Sequence, residues 1–285
     1  MRLLAFVKDS QPNIGALTDA GVIDLSFVDA TAPTDLGTVI KSGRIAELAD
    51  ILAVSDGTVH HQLDDLDLQL PVATPGKIIC LGLNYMDHIA EGPFEKQAFP
   101  AIFMRSPTSL VAAHKPILAP RISNTMDYEA ELAVVIGQKC KNLTADNALD
   151  VIAGYSCFND GSVREYQRHT IQWTMGKNFD RTGPFGPFLV TPDELPPAAD
   201  GLKIECRLNG RTVQSSSTDM MIFKVVETLV YITEAMTLDA GDVVVMGTPS
   251  GVGHGRIPPL WMQDGDVVEV EIEKVGLLSN PVRAI

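Results

Sequence analysis

The segment Asp127-Tyr128-Glu129-Ala130-Glu131-Leu132-Ala133-Val134-Val135-Ile136-Gly137 constrains the fold most. Apart from its acids the run is apolar, the pattern of a strand buried on both faces. Side chains alternate across a strand, so Glu129 and Glu131 share one side with Ala133 and Val135. Tyr128, Ala130, Leu132, Val134 and Ile136 fall on the other. Two ionised carboxylates at one end of such a strand would repel each other and lose their hydration. A divalent cation is the simplest remedy. A Glu-x-Glu spacing is common, and a solvated acidic patch is the competing reading until other residues are considered.

The 285 residues can bury a large core, either as one big domain or as a major domain with a small one. Hydrophobic residues make up 45% and charged residues 20%, ordinary for a soluble globular protein. No apolar run reaches the ~18 residues of a membrane span, and the apolar part of the N-terminus is too short for a signal peptide. The cysteines, Cys80, Cys140, Cys157 and Cys206, show no Cys-x-x-Cys spacing. Three lie in apolar runs, and Cys140 reads as part of a polar turn. Reduced thiols and a cytoplasmic location are expected. A net charge of −14 disfavours nucleic acid and anionic membranes as partners.

Residues 1–70 read as a small α+β unit. Strands are expected at 3–7, 14–17 and 22–25 and helices near 36–40 and 45–54. His60-His61 and Asp64-Asp65-Leu66-Asp67 read as a solvated linker. From residue 75 to 285 the chain is strand-rich, with Gly and Pro punctuation and few helices. Strands are expected at 77–83, 101–105, 128–136, 153–159, 188–190, 203–208, 243–246 and 267–272. Asn209-Gly210 marks a hairpin turn. The clearest helix spans 223–236, with Phe223, Val226, Leu229, Val230 and Thr233 down one stripe. Strands without regular helical alternation argue for a mainly β, mixed architecture over a doubly wound α/β sheet.

A third carboxylate, Asp160, ends the apolar run Tyr155-Ser156-Cys157-Phe158-Asn159. It could cap the next helix, but Ser162-Val163-Arg164-Glu165 has the form of a capping box that leaves Asp160 free. Arg164, Gln167 and Arg168 then project from one helical face. Three carboxylates suit a hard ion, Mg²⁺ first, with Mn²⁺ or Ca²⁺ as substitutes. His88 and Glu91 are three apart, so the carboxylate could orient the imidazole as a general base. Lys177, between apolar residues, is either a shielded charge or a snorkelling surface lysine. Met246-Gly247-Thr248-Pro249-Ser250-Gly251-Val252-Gly253 reads as a tight loop with free N–H groups that could cradle a carboxylate. It lacks a nucleotide-loop pattern.

These segments together make the stretch from about residue 77 to 285 resemble the fumarylacetoacetate hydrolase family. They run in order: Gly82-Leu83-Asn84-Tyr85 with His88 and Glu91, Tyr128-Glu129-Ala130-Glu131-Leu132, Gly154-Tyr155 through Asn159-Asp160, Gly176-Lys177-Asn178-Phe179-Asp180, Gly183-Pro184-Phe185-Gly186-Pro187, Gly247 through Gly253, and Asn280-Pro281-Val282. The resemblance implies a mixed β-sandwich roll with a small N-terminal domain, a homodimer, and metal binding by Glu129, Glu131 and Asp160. It implies that His88 and Glu91 activate water, that Lys177 stabilises charge, and that Tyr85, Gln167 and Thr248 meet a small anionic keto-acid substrate. Arg105 stands where many relatives carry lysine, and its bidentate fork could grip a substrate carboxylate.

The activity expected on this basis is metal-dependent hydrolysis of a C–C bond in acylpyruvates or related 1,3-diketo acids, releasing pyruvate. Oxaloacetate decarboxylation, isomerisation or tautomerisation of unsaturated keto-diacids in aromatic catabolism, and non-catalytic metal binding are the alternatives. Trp173, Phe179 and Phe185 are expected near the pocket wall. Whether Arg168 or His169 reaches the substrate is open at this point.

Overall fold

The computed structural model describes residues 1–91 and 96–285. Its centre is an 11-stranded sheet in the order Gly21–Asp24, Gln11–Thr18, Arg2–Lys8, Gly183–Val190, Ile152–Asn159, Ala130–Ile136, Val243–Val245, Ile78–Gly82, Ala101–Arg105. Asp67–Leu68 pairs beside Arg2–Lys8, and Leu110–Val111 beside Gly183–Val190. A five-stranded sheet runs Arg211–Ser217, Lys203–Leu208, Val267–Ile272, Gly276–Ala284, Ile117–Ala119. The protein is therefore mainly β with short helices, as its strand pattern implied. Among the described residues no helix is long and apolar enough to cross a membrane.

The Ala130–Ile136 strand is buried along its whole length, and its two faces enter different cores. Ala130, Leu132, Val134 and Ile136 pack in a cluster with Ile204, Cys206, Val268, Val270 and Leu278 of the smaller sheet and with Leu229 and Ile232. Ala133 and Val135 pack in a cluster with Leu36, Val39, Leu48 and Ile51 from the N-terminal helices. The strand is thus the middle layer of three. Each fully buried Leu or Val contributes about 1.5–3 kcal/mol of transfer free energy, so this alternation fixes which face carries the glutamates.

The N-terminal strands are not separate from that sheet. Leu3 pairs with Leu189, so Arg2–Lys8 extends the central sheet across the boundary expected near residues 70–75. His60 and His61 are not in a solvated linker. The His60 ring stacks on Phe27 with centroids 4.7 Å apart, and His61 Nε2 lies 3.1 Å from the buried Asp24.

Three further local expectations change. The strand expected at 188–190 starts at Gly183 and is buried throughout, despite its glycines and prolines. Gly183 is required there, because a Cβ would lie 2.8 Å from the Arg105 guanidinium. The Val225–Ala235 helix buries Val225, Thr228, Leu229, Ile232 and Thr233, a face rotated from the expected stripe. Val226 and Val230 sit on its partly buried flank, and Phe223 precedes the helix. The two threonines tolerate burial because each hydroxyl bonds a backbone carbonyl, as Thr233 does to Leu229 at 2.7 Å. Cys140 lies in a polar segment with Lys139 and Lys141 exposed, but is itself buried and bridges Leu238 through the backbone, and all four thiols are free.

Candidate active site

The register of two neighbouring strands brings the carboxylates together. Ala130 pairs with Asn159 and Glu131 with Phe158, so Glu129 and Asp160 face each other at the end of the ladder. Asp160 N–H donates to the Glu129 carbonyl at 2.9 Å, and Glu129 N–H donates to Asn159 Oδ1 at 2.9 Å. Carboxylate oxygens of Glu129, Glu131 and Asp160 lie within 4.8 Å of one another, and all three residues are buried. Oxygens bound to one Ca²⁺ sit at about 2.3–2.6 Å from it and can be about 5 Å apart, while Mg²⁺ needs them slightly closer. An all-oxygen set at this spacing fits either ion after small side-chain adjustment.

Three cations surround the acids. Lys177 Nζ lies 2.6 Å from Glu129 and 2.5 Å from Asp160, and rests 5.0 Å from the Phe103 ring centroid. It is 2% exposed, which excludes a snorkelling surface lysine. Arg164 bonds Asp127 at 2.8 Å and reaches Glu129 at 2.6 Å, and its Nη1 donates to Gln167 at 2.9 Å. Arg105 pairs with Asp160 from behind and is fully engaged. Its other donors go to the Gly161 carbonyl, Ser109 and Thr182, and it does not border the cavity. The fork expected to grip substrate is instead divided among Asp160, Ser109 and Thr182.

These charges divide the acids. Burial opposes ionisation of Glu129, but Arg164, Lys177 and His88 outweigh it and hold this carboxyl well below its ordinary range. Burial, then the negative Asp160 and Glu129, push the Glu131 carboxyl well above its ordinary value. Burial also opposes the charged Lys177, yet Asp160 and Glu129 raise its ammonium above the usual lysine value. A protonated Glu131 adds stability to the metal-free fold at low pH, and that contribution is lost as pH rises through its elevated value. A cation needs the ionised form, so metal affinity rises over the same interval. The increase in melting temperature caused by added Mg²⁺ is therefore expected to grow with pH. Melting curves with and without the ion across a pH series check this, and a pH-independent increment would contradict the protonated Glu131.

A cavity of about 240 Å³ opens onto Glu129, Glu131 and Lys177 and is also bordered by His88, Gln167 and Thr248. Phe103, Trp173 and Val252 form apolar wall. Gly82 makes room for Trp173, whose ring would lie 2.1 Å from an added Cβ. His88 Nδ1 lies 2.9 Å from Glu91 Oε2, so the expected pair is formed. Glu91 Oε1 also accepts from Gly251 N–H at 2.7 Å, and Asp87 accepts from the Ser250 hydroxyl at 2.8 Å. The short Met86–Ile89 helix is thereby clasped to the glycine-rich loop.

That loop does cradle carboxylates, but they belong to the protein. Gly247 N–H donates to Glu131, Gly251 N–H to Glu91, and Gly253 and His254 N–H to Asp127. Gly247 has φ +87° and stands so close to Asn84 that a Cβ would approach its side chain to 2.6 Å. Thr248 Oγ1 accepts from the buried Gln214, whose carbonyl oxygen takes the Ala130 N–H between the two glutamates.

Several expectations shift. Tyr85 is buried in the core and does not border the cavity. Phe185 packs on Phe158 and Phe179 on Tyr166, away from the wall, whereas Trp173 borders it. Arg168 borders the cavity and His169 does not. Ser162 caps no helix; its hydroxyl donates to the Asp160 carbonyl at 2.8 Å, and the next helix starts at Arg164. Asp160 is nevertheless free to face the acids. Sequence reasoning missed Asp127, Gln214, Phe103 and His254. His254 was the findable one, since it lies within Gly253-His254-Gly255, directly after the loop already singled out.

A central sheet packed between a smaller sheet and the N-terminal helices carries a buried Glu/Glu/Asp set beside a His–Glu pair, the arrangement of a candidate enzyme site. The family model described as fumarylacetoacetate hydrolase C-terminal matches residues 77–283, and the chain belongs to that family. It is 39% identical over 289 residues to the mitochondrial oxaloacetate tautomerase of Xenopus laevis, covering 99% of this chain and 90% of that protein. The structure is similar to a fumarylacetoacetate hydrolase from psychrophilic Exiguobacterium antarcticum, with TM-score 0.85, 36% identity and all of both chains covered. It is also similar to maleylpyruvate hydrolase from Sphingobium in complex with manganese and pyruvate, with TM-score 0.81 and 25% identity over 100% of this chain and 99% of that one.

Proposed function

We propose that this enzyme catalyses metal-dependent tautomerisation of oxaloacetate or a closely similar short 2-keto diacid. The observation that carries the reading is that His88, held by Glu91 at 2.9 Å, borders the same small cavity as the Glu129 and Glu131 carboxylates. A volume of about 240 Å³ lies below the 300–1,000 Å³ of typical pockets for drug-sized ligands and suits a compact acid. The similarity to an oxaloacetate tautomerase over nearly the whole chain supports the same substrate class.

Glu129, Glu131 and Asp160 would hold Mg²⁺ or Mn²⁺, which when bound supplies Lewis acidity to the 2-oxo group of the substrate. With Nδ1 committed to Glu91, His88 presents its other ring nitrogen to accept the proton from C3 of the keto form. A proton is returned at the 2-oxygen, so the two tautomers interconvert with nothing gained or lost. Lys177, on the cavity border, adds positive charge where negative charge develops on the substrate. Phe103, Trp173 and Val252 limit water near the exchanging proton.

The His88–Glu91 pair also favours a second reading, in which it activates water to cleave an acylpyruvate. The similarity to maleylpyruvate hydrolase points the same way. Enol oxaloacetate and an acylpyruvate, each supplied to chelator-stripped protein with and without Mg²⁺, separate the two. Metal-dependent loss of the enol without release of pyruvate supports the tautomerase. Pyruvate from the acylpyruvate, with no effect on the enol, would replace it with the hydrolase. Pyruvate and CO₂ from oxaloacetate would indicate decarboxylation.

A further inference from the structure

Arg168 follows the Arg164–Gln167 helix and borders the same cavity as the carboxylate set. Its guanidinium Nη2 meets Nε2 of His254. His254 is held in place twice: its backbone N–H donates to the buried Asp127 at 2.9 Å, and its ring stacks on Trp261 with centroids 6.2 Å apart. Burial first, then the charges of Arg168 and Arg164, keep the His254 imidazole below its ordinary value, so it meets Arg168 as a neutral acceptor.

The neighbouring arginines have a different environment. Asp127 and Glu129 neutralise Arg164, and Asp160 neutralises Arg105. Among the described residues Arg168 has no carboxylate at ion-pair distance, in a chain whose net charge is −14. Arg168 is exposed, and what sets it apart from a freely solvated arginine is its contact with a stacked histidine and its place on the cavity border. An unneutralised guanidinium braced at the edge of a small cavity is built to accept an anionic group from inside it, and its planar fork matches a carboxylate.

We propose that Arg168, braced by His254, binds the carboxylate at the end of the substrate remote from its 2-oxo group and so selects diacids over monoacids. This rests on the reading of the site as one for short 2-keto acids, and extends it to the second charge. Arg168 is then a specificity-determining residue and His254 a positioning residue.

The test uses two stable, unreactive probes with the same 2-hydroxy acid head: malate, with a second carboxylate, and 2-hydroxybutyrate, without one. Binding of each to Mg²⁺-loaded protein is measured by calorimetry for wild type, Arg168→Gln, Arg168→Lys and His254→Asn. Wild type is expected to bind malate more tightly. Arg168→Gln should remove about ten- to hundredfold of malate affinity, the worth of a charged hydrogen bond, and leave 2-hydroxybutyrate binding in place. Arg168→Lys should restore part of the preference, because it keeps the charge and loses the fork. His254→Asn should weaken malate binding less than Arg168→Gln does. A malate preference that survives Arg168→Gln, or its absence from wild type, overturns the proposal. Oxaloacetate turnover on the same samples decides the tautomerase reading separately, since the binding preference does not depend on it.

Discussion

Replacing His88 by alanine is expected to lower oxaloacetate tautomerisation about 10²–10⁴-fold while metal uptake stays at the wild-type level. The imidazole borders the cavity but is not among the three clustered carboxylates, so its loss removes the proton carrier and leaves the ion's donor set whole. Glu91→Gln should have the same sign and a smaller size. It leaves the imidazole in place but weakens the contact that fixes its tautomer, together with the clasp to Gly251. Turnover and metal titration on the same preparations separate chemistry from binding. Undiminished turnover in His88→Ala would remove the imidazole from the reaction.

The second large effect concerns Lys177, which lies between Glu129 and Asp160 at 2.6 and 2.5 Å. Lys177→Met keeps much of the side chain's volume and deletes the charge. In the metal-free protein this leaves acids buried without one of their counter-ions, a change that costs about 3–5 kcal/mol when one partner of a buried pair is removed. An added dication restores positive charge to the same carboxylates, so Mg²⁺ should stabilise the variant more than it stabilises wild type. Turnover should nevertheless stay about 10²–10³-fold down, because the ion does not replace the positive charge that Lys177 brings to the cavity border. Denaturant melts with and without Mg²⁺, paired with rate measurements, check both parts. Equal stabilisation of the two proteins by the ion would place the metal elsewhere.

Much of this site was legible in the chain because its main determinants are local. Two-residue periodicity placed Glu129 and Glu131 on the face shared with Ala133 and Val135, and the two cores divide the strand that way. The apolar run before Asp160 set the partner strand, and their antiparallel register did the rest. His88 and Glu91 are three apart and meet within one turn.

The misreadings come from residues whose roles depend on distant partners. Arg105 is a strand residue whose fork is satisfied by Asp160 and Thr182, far along the chain. The N–H groups of the glycine-rich loop looked free because Glu131, Glu91 and Asp127, their acceptors, lie in other segments. Only 188–190 read as strand, because the glycine and proline content of Gly183 through Pro187 hides the first part of a buried strand that the neighbouring strands complete. His254 had no visible partner until Arg168 and Trp261 were brought against it.

The most direct measurement is calorimetric titration of chelator-stripped protein with Mg²⁺ or Mn²⁺, wild type beside Asp160→Asn, followed by activity on the titrated samples. Saturable uptake of a single ion with return of activity in wild type, and loss of both in Asp160→Asn, is the expected result. Wild-type protein that takes up no ion and works equally well without one would contradict a metal centre built from Glu129, Glu131 and Asp160.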